Sequence, residues 1–134
     1  MKPINEYKPH EQTLLIFDDM INDLSFPVIS EIYTRGRKRG ISTMFLSQSF
    51  YATPKIIRQN LNYCIILKLG GTLEVNAILR EISIGLTKDE LMYMYNDATK
   101  EKFNCLIVNL DKSGNERYRK NFLDYYTIEE IQKN

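Results

Sequence analysis

Asp18 and Asp19 are the residues of this chain best suited to chemistry. They close the stretch TLLIFDD, in which four large apolar side chains run straight into two adjacent carboxylates. A carboxyl group at the end of a buried strand can hold a magnesium ion, which takes one or two carboxylates and fills its remaining positions with phosphates and water. A second carboxyl beside it can polarise a water that attacks a phosphoryl group. Against this stands the plainer role of a side chain capping the next turn.

Two further groups follow in a fixed order. In YTRGRKRGISTMFLSQSF, Arg35, Arg37, Lys38 and Arg39 crowd into five residues, and an apolar run then ends in Ser47-Gln48. An arginine presented by one subunit can stabilise charge developing on the γ-phosphate bound by its neighbour. A glutamine on the strand beside an acidic one can sense that phosphate or orient water. Taken singly, the basic cluster reads as a solvated loop and Gln48 as a strand-end residue. An acidic pair ending a first strand also fits a phosphorelay receiver domain. That fold needs a phosphorylatable aspartate at a later strand end. Here the later runs end in Ser47-Gln48, Leu69-Gly70 and Leu110-Asp111, and Asp111 begins a turn one strand too late.

The elements that must position these groups alternate. Leu14 to Phe17, Thr43 to Leu46, Tyr63 to Leu69 and Cys105 to Leu110 are apolar runs of strand length without period-2 alternation, the pattern of strands covered on both faces in a parallel sheet. Between them Ser25 and Pro27 announce a helix that ends near Gly36. Thr53-Pro54 opens a short second helix, and Leu73 to Ile82 forms a third between Gly71 and Gly85. Thr87 to Glu90 has capping-box spacing, repeated at Thr127 to Glu130. DKSGN, from Asp111, is a turn into an antiparallel partner near Tyr118 to Phe122. The expected fold is α/β, a mostly parallel sheet with flanking helices.

The 134 residues suffice for one domain, and a net charge of +1 provides no global field for nucleic acid. No apolar run reaches the roughly 20 residues a membrane span requires, and the polar start MKPINEYKPHEQ has no signal-peptide character. Cys64 and Cys105 lie inside apolar runs and His10 is the single histidine, so no zinc cluster can form.

The order acidic strand end, helix, arginine loop, strand, glutamine resembles the FtsK–HerA superfamily of ring ATPases. LLIFDD, YTRGRKRGISTMFLSQSFYATPKIIRQNLNYCIILKL and, more loosely, YNDATKEKFNCLIVNL with RYRKNF are similar to the poxvirus-type DNA-packaging ATPases of large DNA viruses. The resemblance implies the C-terminal portion of a RecA-like P-loop core over residues 1–134, with a short helical tail over 123–134. It implies ATP and magnesium as cofactors, Asp18 as the Walker B magnesium acid, Asp19 as catalytic base and Gln48 as sensor. Arg37 is the expected trans-acting finger, with Arg39 as its rival. Arg58 and Asn60 match a family segment whose role does not follow from their chemistry.

The implied partners are double-stranded DNA bound without sequence preference, further copies of the chain in a ring, and capsid or portal-vertex components, with no membrane. Lys38, Arg117, Arg119 and Lys120 are candidate DNA contacts. The implied location is the host cytoplasm, in virus factories, and the virion. A phosphate-cradling G-x-x-x-x-G-K-[ST] loop is absent from the sequence, so the chain alone is expected to be inactive. A non-catalytic docking module and a conjugative or cellular translocase are the alternatives.

Overall fold

The computed structural model describes residues 1–20 and 26–134. It divides into two compact units, Met1–Asn60 and Leu61–Asn134.

In the first unit β1 (Thr13–Asp18) and β2 (Ile41–Leu46) pair in parallel, from Thr13 opposite Ile41 to Asp18 opposite Leu46. Helix α1 (Phe26–Arg35) and a 3₁₀ turn (Gly36–Arg39) connect them. The expected start signal Ser25 lies outside the described residues, while Pro27 sits in the first helical turn, where its missing N–H costs nothing. Helix α1 buries Ile29 and Ile32. Its Tyr33 ring lies 6.3 Å from Phe17 and 6.4 Å from Phe45, completing an aromatic cluster on one sheet face. The other face is open: Leu14, Ile16, Met44 and Leu46 are 58%, 57%, 42% and 43% exposed. The expectation that these strands are covered on both faces is therefore corrected for this unit. An unbroken apolar run records which side chains avoid water, not whether a second layer lies over them.

Gly40 ends the 3₁₀ turn with φ of +67°, and a Cβ there would stand 2.8 Å from the Pro9 carbonyl oxygen. Both the left-handed backbone and the close approach require glycine. After β2, Pro54 leads into α2 (Lys55–Gln59), which buries Ile57.

The second unit holds an antiparallel sheet of β3 (Tyr63–Ile66), β4 (Leu106–Asn109), β5 (Tyr118–Lys120) and β6 (Asp124–Tyr125), in that order. Helices α3 (Thr72–Ile82) and α4 (Lys88–Ala98) bury Val75, Ile78, Leu79, Ile82, Leu91 and Met94. The sheet contributes Leu106, Val108 and Tyr118 to the same core.

The expected mostly parallel sheet is thus corrected, since β1–β2 is the one parallel pairing among the described residues. Two helices rather than one separate β3 from β4, so the chain leaves and re-enters the sheet at the same end, with Ile66 opposite Leu106. Apolar periodicity carries no information on strand direction.

The two capping predictions separate. Thr87 Oγ accepts from the Glu90 N–H at 3.3 Å while Glu90 Oε2 accepts from the Thr87 N–H at 2.6 Å, a complete box at the start of α4. At α5 (Ile128–Gln132) the Thr127 hydroxyl makes no cap. Asn115 Oδ1 accepts from the Ile128 N–H at 2.7 Å instead. The tail is tied down by Tyr126, whose hydroxyl donates to Asp97 Oδ2 at 2.6 Å, and by Ile131, which is buried.

Candidate active site

The parallel register decides what comes together. With Asp18 opposite Leu46, the residues that follow each strand, Asp19 and Ser47-Gln48, emerge side by side at one carboxyl edge. Ligands of open parallel sheets gather at this edge. Asp18, Asp19 and Gln48 are all exposed there. Asp19 has φ of +52°, and its N–H donates to the Leu46 carbonyl at 3.0 Å. Aspartate tolerates the left-handed region better than most residues. This single αL residue ends the strand and turns the chain out of the sheet immediately after the second carboxylate.

The loop carrying Gln48 is built by hydroxyl groups. Ser47 Oγ donates to the Ser49 carbonyl at 2.8 Å and accepts from the Ser49 N–H at 3.2 Å. Thr53 Oγ1 donates to the same Ser49 carbonyl at 2.9 Å. Arg58 closes the loop from below: its Nε donates to the Thr53 carbonyl at 3.0 Å and its guanidinium lies 5.0 Å from the Phe50 ring centre. Asn60 Nδ2 donates to the Ile56 carbonyl at 2.7 Å and so finishes α2. Arg58 and Asn60 thus brace the segment behind Gln48. Sequence reasoning missed the serine and threonine scaffold, although S-x-S immediately after a strand is the signal of a hydroxyl-closed turn.

The arginines do not join this edge. Arg37 and Arg39 belong to the 3₁₀ turn that precedes β2, at the amino end of the strand whose carboxyl end carries Gln48. Six residues of extended strand separate the two ends by about 20 Å at ~3.3 Å per residue. Both arginines are exposed and make no ion pair among the described residues, whereas Arg35 is held by Glu31 at 2.8 Å.

The remaining basic candidates divide sharply. Arg117 is 3% exposed and donates to the carbonyls of Ile82, Lys112 and Leu110 at 3.0, 2.9 and 3.4 Å. It is an internal clamp and cannot reach DNA. Lys120 stands 3.8 Å from Asp97. Asp111, the residue a receiver domain would need, accepts from Asn62 Nδ2 at 2.8 Å within its turn.

Asp18 and Asp19 fit magnesium as a donor set, because the ion needs few protein carboxylates when phosphates and water supply the rest. No group of three or more His, Cys, Asp or Glu side chains able to hold a metal occurs among the described residues. None of the described helices is long and apolar enough to cross a membrane.

No curated protein and no solved structure matches the chain. A family model, that of the Poxvirus A32 protein, matches residues 2–129. The chain therefore belongs to the Poxvirus A32 family of viral DNA-packaging ATPases.

Proposed function

We propose that this chain carries the acidic and arginine-finger part of a motor that hydrolyses ATP to move double-stranded DNA into a capsid. The observation that carries the reading is the opposed placement of the two charge sets on one parallel pair. The Asp18, Asp19 and Gln48 edge and the Arg37, Arg39 end are separated by the length of β2. This separation from the carboxylates of its own chain supports a role for the arginine at a neighbour's site, the arrangement a ring of identical subunits provides.

In this reading Asp18 would hold magnesium, which supplies charge neutralisation to the phosphates when bound. Asp19 accepts the proton of the attacking water, and the αL turn holds its carboxylate at the strand end. Gln48 orients that water from the adjacent strand. Arg37, or Arg39 beside it, enters from the next subunit and stabilises the charge on the transferred phosphoryl group. DNA is held through its phosphates without reading bases, which makes binding salt-dependent. Capsid or portal-vertex components anchor the ring, and the motor acts in host cytoplasmic virus factories and travels with the virion.

The absent G-x-x-x-x-G-K-[ST] loop favours a second reading for this chain by itself, a non-catalytic docking module. In both readings the isolated chain hydrolyses ATP negligibly, because nothing in the sequence cradles the β- and γ-phosphates.

The experiment measures ATPase activity, with and without duplex DNA, of the chain alone and mixed with a polypeptide carrying a P-loop strand and helix. Activity on mixing should fall at least about 100-fold in Asp19→Ala and in Arg37→Ala. Restoration when the two inactive variants are combined would place the residues in different subunits of one site. Association of the two polypeptides without activity would establish the docking module.

A further inference from the structure

The second unit contains a polar cavity of about 570 Å³, lined by Tyr63, Asn109, Lys112, Glu116, Arg119 and Tyr125 among others. Its floor is one face of the antiparallel sheet. Tyr63 is opposite Asn109, and Arg119 is opposite both Ile107 and Tyr125. The register therefore lines up one polar or aromatic side chain from each of β3, β4, β5 and β6 on a single face.

Arg119 is the centre of this row. Its guanidinium lies 5.8 Å from the Tyr63 ring centre and 5.1 Å from that of Tyr125. The Tyr63 ring is fixed by Asn109 Nδ2, which donates to its hydroxyl at 3.1 Å. Among the described residues Arg119 has no carboxylate partner, and its one hydrogen bond runs to the Phe122 carbonyl at 3.3 Å. Its Nε is buried and has no acceptor. The tyrosines are 50% and 53% exposed, so each keeps ring surface for a further planar group. Lys112 adds a second cation at the rim, held 3.4 Å from Glu116.

We infer that this cavity binds an unpaired nucleobase together with its phosphate: the base stacks on Tyr63 or Tyr125, and the phosphate meets Arg119 and Lys112. Aromatic platforms interleaved with cations bind single-stranded nucleic acid without base preference, since every base has a π-face. The cavity is built wholly from residues of the second unit, and the inference does not rest on hydrolysis at the Asp18–Gln48 edge. It would grip a frayed or displaced strand, or a free nucleotide, but not the closed stack of a duplex.

The test uses the full chain without ATP. Fluorescence anisotropy would follow a labelled 12-mer of oligo-dT, with unlabelled oligo-dT, a hairpin duplex, thymidine monophosphate and inorganic phosphate as competitors. Oligo-dT should compete at least tenfold better than the duplex. Arg119→Met and Tyr125→Leu should each weaken binding about tenfold, within the range of one lost stack. Circular dichroism and urea midpoints of both variants should stay near the wild type. Competition by thymidine monophosphate at similar concentration would identify a free nucleotide as the ligand; an advantage for the oligonucleotide would identify a strand. Equal competition by duplex, displacement by phosphate alone, or binding untouched by both variants would overturn the inference. A variant that fails to fold is replaced by Tyr63→Leu, at the exposed edge of the same row, with the same required loss.

Discussion

Replacing Arg117 by methionine tests whether this arginine is a structural clamp rather than a DNA contact. Methionine keeps most of the apolar stem and removes the guanidinium. Three carbonyls lose the guanidinium as donor: Ile82 at 3.0 Å, which keeps the long Tyr118 hydroxyl contact at 3.5 Å, Lys112 at 2.9 Å and Leu110 at 3.4 Å. The Ile82 carbonyl closes α3, where no intrahelical donor remains and a cation also opposes the negative end of the helix dipole. Hydrogen bonds to charged groups contribute about 1.5–3 kcal/mol each. Two are well placed and the third is long. The cost of desolvating the guanidinium, which the variant avoids, offsets part of the loss, leaving a net destabilisation of roughly 3 kcal/mol.

For a chain of this size a urea slope of about 2 kcal/mol per molar converts that loss into a midpoint shift of about 1.5 M. Urea denaturation followed by far-ultraviolet circular dichroism reads it directly. Arg119→Met is the control two residues away. That side chain has a single hydrogen bond, at 3.3 Å, and should shift the midpoint by no more than about a third as much. Equal shifts in the two variants would refute the assignment of Arg117 to the core.

The two capping sites should respond unequally. Thr87→Ala removes a complete box and should cost about 1 kcal/mol in thermal or urea unfolding. Thr127→Ala should cost less than half of that, and Asn115→Ala, which removes the acceptor for Ile128, more than Thr127→Ala.

Burial, followed by the Glu81 charge, pushes the Cys64 thiol up from 9.0 to about 11. The folded value lies above the unfolded one, so this contribution is fully present below pH 9 and is lost as pH rises from about 9 through about 11. Tyr33 and Tyr126 are shifted upward by burial as well, so the comparison is between the wild type and Cys64→Ala. The wild type should lose more stability than the variant between pH 8 and pH 11, and parallel profiles would refute the burial argument.

Much of the local structure that carries the candidate site was legible in the sequence because its signals are local. Four apolar residues followed by Asp18 and Asp19 specify a strand and its chemical end, whatever surrounds them. The arginine turn, the short Pro54-led helix and the Thr87 box likewise depend on neighbours a few residues away. Direction and pairing do not. That β3 and β4 run antiparallel depends on where two intervening helices return the chain. That Asn115 rather than Thr127 caps the last helix depends on a side chain 13 residues distant.

The same division separates the arginines of ERYRKNF, which are indistinguishable by composition. Arg117 stands just before β5 in a helical backbone conformation while Arg119 lies within the strand, and tertiary packing makes only the first an internal clamp. The carbonyl ends of α3 and of the turn after β4 converge on Arg117, while two tyrosines from β3 and β6 flank Arg119. The sequence by itself determined which residues could act on a phosphate. The tertiary structure decided which of them share an edge, because register and burial are set by partners far away along the chain.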